Sequence, residues 1–63
     1  MNFSHNLQQA RKKLGLTQAE LADKVGVRQN AISNYEQGIR YPRLDELEHI
    51  AKALKTTPAR LIK

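Results

Sequence analysis

The stretch Thr17-Gln18-Ala19-Glu20-Leu21-Ala22-Asp23-Lys24-Val25-Gly26-Val27-Arg28-Gln29-Asn30-Ala31-Ile32-Ser33-Asn34-Tyr35-Glu36-Gln37-Gly38 decides the fold. It opens with a capping box, in which the Thr17 hydroxyl accepts from the Glu20 amide and the Glu20 carboxylate reaches back. Ala19, Leu21, Ala22 and Val25 supply small and apolar contacts for a helix that Gly26 ends. A second helix follows after only a few residues, from about Arg28 to Gln37, with Gly38 closing it. Ala31, Ile32 and Tyr35 are its inward positions, at helical spacing. So short a connection forces a steep crossing and needs a small residue at the turn. Ala22, four residues before Gly26, lets the two helices approach, and Ile32, six after it, fills the core beneath them.

Working outward, apolar positions recur at three and four rather than two, so the whole chain reads as helix. Breaks at Gly15, at Gly26, from Gly38 to Pro42 and from Lys55 to Pro58 leave five short helices. The first runs from about Phe3 to Leu14, with Phe3, Leu7, Ala10 and Leu14 on one face. The fourth runs from about Leu44 to Leu54, with Leu44, Leu47, Ile50, Ala51 and Leu54 as an inward stripe. Asp45, Glu46 and Glu48 sit near its start, where negative charge suits the helix dipole. Thr57-Pro58 is a cap followed by a first-turn proline, so a fifth short helix begins there. The expected fold is a compact all-α, five-helix domain over residues 1–63.

Sixty-three residues make one domain at most and leave no room for an enclosed active-site cavity beside a core. Cysteine is absent, so neither disulfides nor a cysteine-based zinc site can brace the chain. His5 and His49 lie on different helices without a supporting ligand pattern, so no metal and no cofactor is expected. No His–carboxylate–nucleophile set and no phosphate-cradling glycine loop points to an enzyme. The longest apolar runs are two residues, so nothing resembles a membrane span or a signal-peptide core, and a cytoplasmic location is expected. Eleven Lys and Arg against six Asp and Glu give a net charge of +5, which suits a polyanionic partner.

The third helix carries the chemistry. Arg28, Gln29, Asn30, Ser33, Asn34 and Gln37 are left outside when its apolar positions turn inward. An ordinary solvated face carries Glu and Lys, which favour helix more than Asn and Ser do. An amide offers a donor and an acceptor together, the pattern that matches adenine N6 and N7. Arg28, at the leading end, suits guanine or a phosphate. Two helices joined as here form a helix-turn-helix, whose first helix lies across the DNA backbone while the second enters the major groove.

The run Leu14 to Ala22, then Gly26, Ile32, Tyr35-Glu36-Gln37-Gly38, Pro42 and Ile50-Ala51-Lys52-Ala53-Leu54, resembles the Cro/cI-type (XRE-like) helix-turn-helix family, of the lambda-repressor-like fold. The likeness extends roughly from Leu7 to Ile62. It implies a five-helix regulator of transcription, typically a repressor that binds palindromic double-stranded DNA as a homodimer. By the same likeness Gln29, Asn30 and Asn34, with Arg28 and Ser33 beside them, read base edges. Gln18 contacts a phosphate at a helix N-terminus, a ready anion site. Gln37 at the end of the recognition helix, with Arg40, Tyr41 and Arg43 in the loop after it, lies along phosphates. Arg11 and Glu36 form a structural pair between the first and third helices. The region from about Thr56 to Ile62 is the expected dimer contact: Leu61 and Ile62 either pair across a two-fold axis or close the monomer's own core.

The chain departs from the family at three places. Arg28 and Arg43 stand where Ser or Thr commonly caps the third and fourth helices, so they serve phosphates there or the helices fray. Lys55 stands where Gly is usual. A rival reading is a protein-interaction module, because short members also act as antitoxins that bind a toxin, or another regulator, as well as DNA. The chain is then a whole small regulator or a detached domain of a longer one. A membrane-surface helix is disfavoured, because the basic residues spread over several helices.

Overall fold

A computed structural model describes residues 2–63, and Met1 lies outside the described residues. Five helices follow one another: α1 (Phe3–Lys13), α2 (Gln18–Val25), α3 (Gln29–Gln37), α4 (Leu44–Ala53) and α5 (Pro58–Leu61). No strand occurs among the described residues. The fold is all-α, as the spacing of apolar residues implies.

Each helix contributes at least one side chain to one core. Phe3 and Leu7 come from α1, Leu21 and Ala22 from α2, and Ile32 and Tyr35 from α3. Leu47, Ile50, Ala51 and Leu54 come from α4 and its end, and Leu61 from α5. Burying a side chain such as Leu7 or Ile50 stabilises the fold by about 1.5–3 kcal/mol. With so few core residues, each one counts.

Local chemistry sets the ends of α2. Glu20 N donates to Thr17 Oγ1 at 3.0 Å, and Thr17 N donates to Glu20 Oε1 at 2.8 Å, so both halves of the capping box are made. Gly26 closes the helix at φ +86°, a left-handed conformation that a side chain would strain. Its N–H and that of Val27 both donate to the Ala22 carbonyl, which turns the chain sharply into α3. Ala22 and Ile32 are buried at the crossing.

Three expected features differ. Helical spacing puts Leu14 on the inward face of the first helix and Leu44 on that of the fourth, but they are 41% and 70% exposed. Leu14 lies beyond the last residue of α1. Leu44 opens α4, and helical side chains lean toward the N-terminus, so it leans off the end of the core. Leu61 is 2% exposed and packs with the other core residues, which corrects the prospect of its pairing across a two-fold axis. Asn6 fastens α5 from the other side, with its Nδ2 donating to the Leu61 carbonyl at 2.9 Å. Ile62, the next residue, stays exposed.

Candidate nucleic-acid interface

The inner side of α3 is Ile32 and Tyr35, both buried. Opposite them, Gln29, Asn30, Ser33, Asn34 and Gln37 fall within roughly 140° of the helix circumference at 3.6 residues per turn. Gln29, Asn30 and Gln37 are exposed, and Ser33 and Asn34 are half-buried. The side-chain amides of Gln29, Asn30 and Asn34 make no hydrogen bond among the described residues. Gln37 Nε2 donates to Ser33 Oγ at 2.8 Å, so these two hold one another along the stripe.

A buried cluster fixes this helix from behind. Arg11 Nε donates to Glu36 Oε2 at 2.6 Å, and Arg11 Nη2 to Glu36 Oε1 at 3.1 Å. Arg11 Nη1 donates to the Leu16 carbonyl at 2.8 Å, and Gln18 Nε2 donates to Glu36 Oε1 at 3.0 Å. One carboxylate thus joins α1, the start of α2 and the last turn of α3. Arg11 and Glu36 lie together in the ion pair, their side chains 10% and 3% exposed.

The two ends of the stripe carry cations. Arg28 occupies the cap position of α3 and makes no side-chain cap bond. It is exposed, as are Arg40 and Arg43 in the segment after α3. That segment is tied down. Ile39 N and Arg40 N donate to the Asn34 carbonyl at 2.9 and 3.4 Å, and Pro42 is buried. The Tyr41 ring packs on Phe3 at 4.9 Å between centroids. Arg43 caps α4 without a side-chain bond, as Arg28 does for α3.

One contact had no signal in sequence spacing. Tyr35 reads as a plain inward residue and Glu46 as a helix-start charge. In the structure the Tyr35 hydroxyl donates to Glu46 Oε1 at 2.5 Å, which locks α3 to the start of α4. Burial, then this bond and the carboxylate charge, push the phenol up to about 12, with Arg40 pulling the other way. The available hint was a tyrosine, rather than phenylalanine, at a core position.

A family model described as "Helix-turn-helix" matches residues 7–61. The chain belongs to the Cro/cI-type (XRE-like) helix-turn-helix family. This is a family of DNA-binding transcriptional regulators rather than of enzymes. The helix-turn-helix chain is 40% identical over 57 residues to the transcriptional activator BcrR of Enterococcus faecalis, covering 90% of this chain and 28% of that protein. It superposes on the DNA-binding domain of the P22 c2 repressor with a TM-score of 0.95 and 35% identity, covering 100% of this chain and 83% of that one. A structure of the c2 repressor with a synthetic operator gives a TM-score of 0.92 and 34% identity, covering 97% and 92%. The chain spans between about a quarter and a half of the length of several curated relatives, 28%, 53% and 37% of three of them. No helix among the described residues is long and apolar enough to cross a membrane.

Proposed function

We propose that the protein is a sequence-specific, double-stranded-DNA-binding transcriptional regulator that inserts α3 into the major groove. A single observation carries this reading: a stripe of amides on α3, exposed or half-buried, with three of them unpaired and cations at both ends. Gln29, Asn30 and Asn34 match the donor–acceptor pair of an adenine edge. Arg28 reaches guanine or a phosphate, and Ser33 offers a hydroxyl that Gln37 orients. Gln18, Gln37, Arg40, Tyr41 and Arg43 meet phosphates on either side, which sets the register without reading sequence. The c2 structure with a synthetic operator is a related fold on DNA, and it supports the same use of this surface.

The protein acts in this reading as a repressor and as a dimer on a palindromic operator. Ile62, the exposed apolar residue beyond α5, is the candidate two-fold contact. Selection from a randomised duplex pool at about 0.15 M salt, followed by sequencing, tests the reading. A palindromic consensus with half-sites about 34 Å apart is expected. Retention of the pool without enrichment, lost as salt rises, would leave only non-specific charge attraction. A reporter carrying the selected site then shows whether transcription falls, as expected for a repressor, or rises.

A further inference from the structure

Most of the positive charge of this chain lies away from α3. Four adjoining surface depressions run from α1 and α5 across to α2 and α4, each sharing residues with the next. Lys12, Lys13, Arg60, Lys55, Lys24 and Lys52 line them, six of the eleven Lys and Arg in the chain. No Asp or Glu lines any of the four. None of the six cations is in an ion pair with a carboxylate among the described residues. The floor between them is partly apolar: Leu14 is shared by two depressions and is 41% exposed, with half-buried Leu16 and Val25 nearby, beside polar Gln9, His49 and Thr56.

Lys55 stands at the junction of three of these depressions. Its φ is +58°, the one left-handed residue other than glycine among those described. Glycine adopts that conformation freely, and a residue with a Cβ does so at a cost. This conformation closes α4, where Thr56 N donates to the Ala51 carbonyl at 2.9 Å, and it sets an exposed lysine, where glycine would be free of strain, at the centre of the basic groove.

The geometry points to an acidic, amphipathic segment of a partner protein as the occupant of this groove. Carboxylates would meet the cationic rim, and apolar side chains would cover Leu14 and the floor. A phosphate backbone would satisfy the rim but leave the floor in water. A second copy seated on the same face would set six cations against six, which is repulsive. The inference does not rest on base reading by α3.

The test uses a labelled peptide of about 20 residues with leucine at helical i, i+3, i+4 spacing and glutamate elsewhere, and a control with serine for leucine. At about 0.15 M salt the leucine peptide should bind saturably, and its amide shifts should map to Leu14, Lys24 and Lys55. The serine control and the triple variant Lys13→Glu, Lys55→Glu, Arg60→Glu should each bind about tenfold more weakly. Lys55→Gly should raise Tm yet weaken peptide binding, a combination that a structural role for Lys55 would not give. Equal binding of both peptides would overturn the proposal in favour of bare charge attraction, and shifts confined to α3 would overturn it by placing the peptide elsewhere. Loss of duplex affinity in the triple variant, with the peptide unaffected, would assign the groove to nucleic acid and overturn it as well. Peptide-independent self-association that the triple variant abolishes would make the occupant a second copy.

Discussion

The two helices of the motif begin in opposite ways. α2 starts with a closed capping box, in which Thr17 and Glu20 satisfy each other's amides. α3 starts at Arg28, with no side-chain cap and no acidic residue in its first turn. In α2 the Thr17 and Glu20 amides are thus satisfied within the protein. The second helix leaves its leading amides open at the end where Arg28, Gln29 and Asn30 are exposed. The contrast continues along α3 itself. Its back is held by an ion pair and a core, while on its front the side-chain amides of Gln29, Asn30 and Asn34 make no hydrogen bond among the described residues.

Removing the support behind α3 should have the largest effect. Glu36→Ala leaves the Arg11 guanidinium buried without its counter-charge and should cost about 3–5 kcal/mol, read by thermal or urea unfolding. An equally large loss of DNA binding should follow only where the domain has unfolded. Tyr35 supports the same helix from the other edge. Its phenol is raised above the ordinary 10.0 to about 12, so the folded state holds this proton more tightly than the unfolded chain. Stability from this group is complete below about pH 10 and is lost between about pH 10 and 12. Tyr35→Phe should flatten that slope in unfolding curves taken across the range.

The caps themselves give the sharper comparison. Thr17→Ala should destabilise by about 1 kcal/mol, while Arg28→Ser should stabilise by a similar or smaller amount, since it supplies the missing cap. Arg28→Ser should at the same time weaken DNA binding. A variant that lost stability instead would mean that Arg28 already serves the fold.

These expectations show which parts of the molecule a linear reading reaches. The capping box and the stripe of α3 were legible because both depend on neighbours within one or two turns. Leu14 and Leu44 were misplaced because helical spacing gives the side of a helix but not how far the core extends along it. Leu61 and Ile62 are adjacent and both apolar, and only the packing of α5 against α1 and α4 selects which one is buried. The bond from Tyr35 to Glu46 joins two helices across an intervening loop, so no local pattern announces it. The groove of six cations was invisible for the same reason: its residues come from α1, α2, α4 and α5, and from the turn before α5.

Arg40 lies at the edge of the proposed interface, where the smallest effect is expected. Arg40→Ala should weaken binding to all sequences alike and reduce the slope of log affinity against log salt by about one. An unchanged slope would remove Arg40 from the phosphate set.

The central claim is that the open face of α3 reads bases. Affinities of Gln29→Ala for the selected site and for a scrambled duplex, at one fixed salt concentration, test it most directly. A loss of about 1–3 kcal/mol on the selected site, with relaxed preference at one base pair and little change on the scrambled duplex, is the predicted result. An equal loss on both duplexes would contradict it and make Gln29 a contact to the backbone.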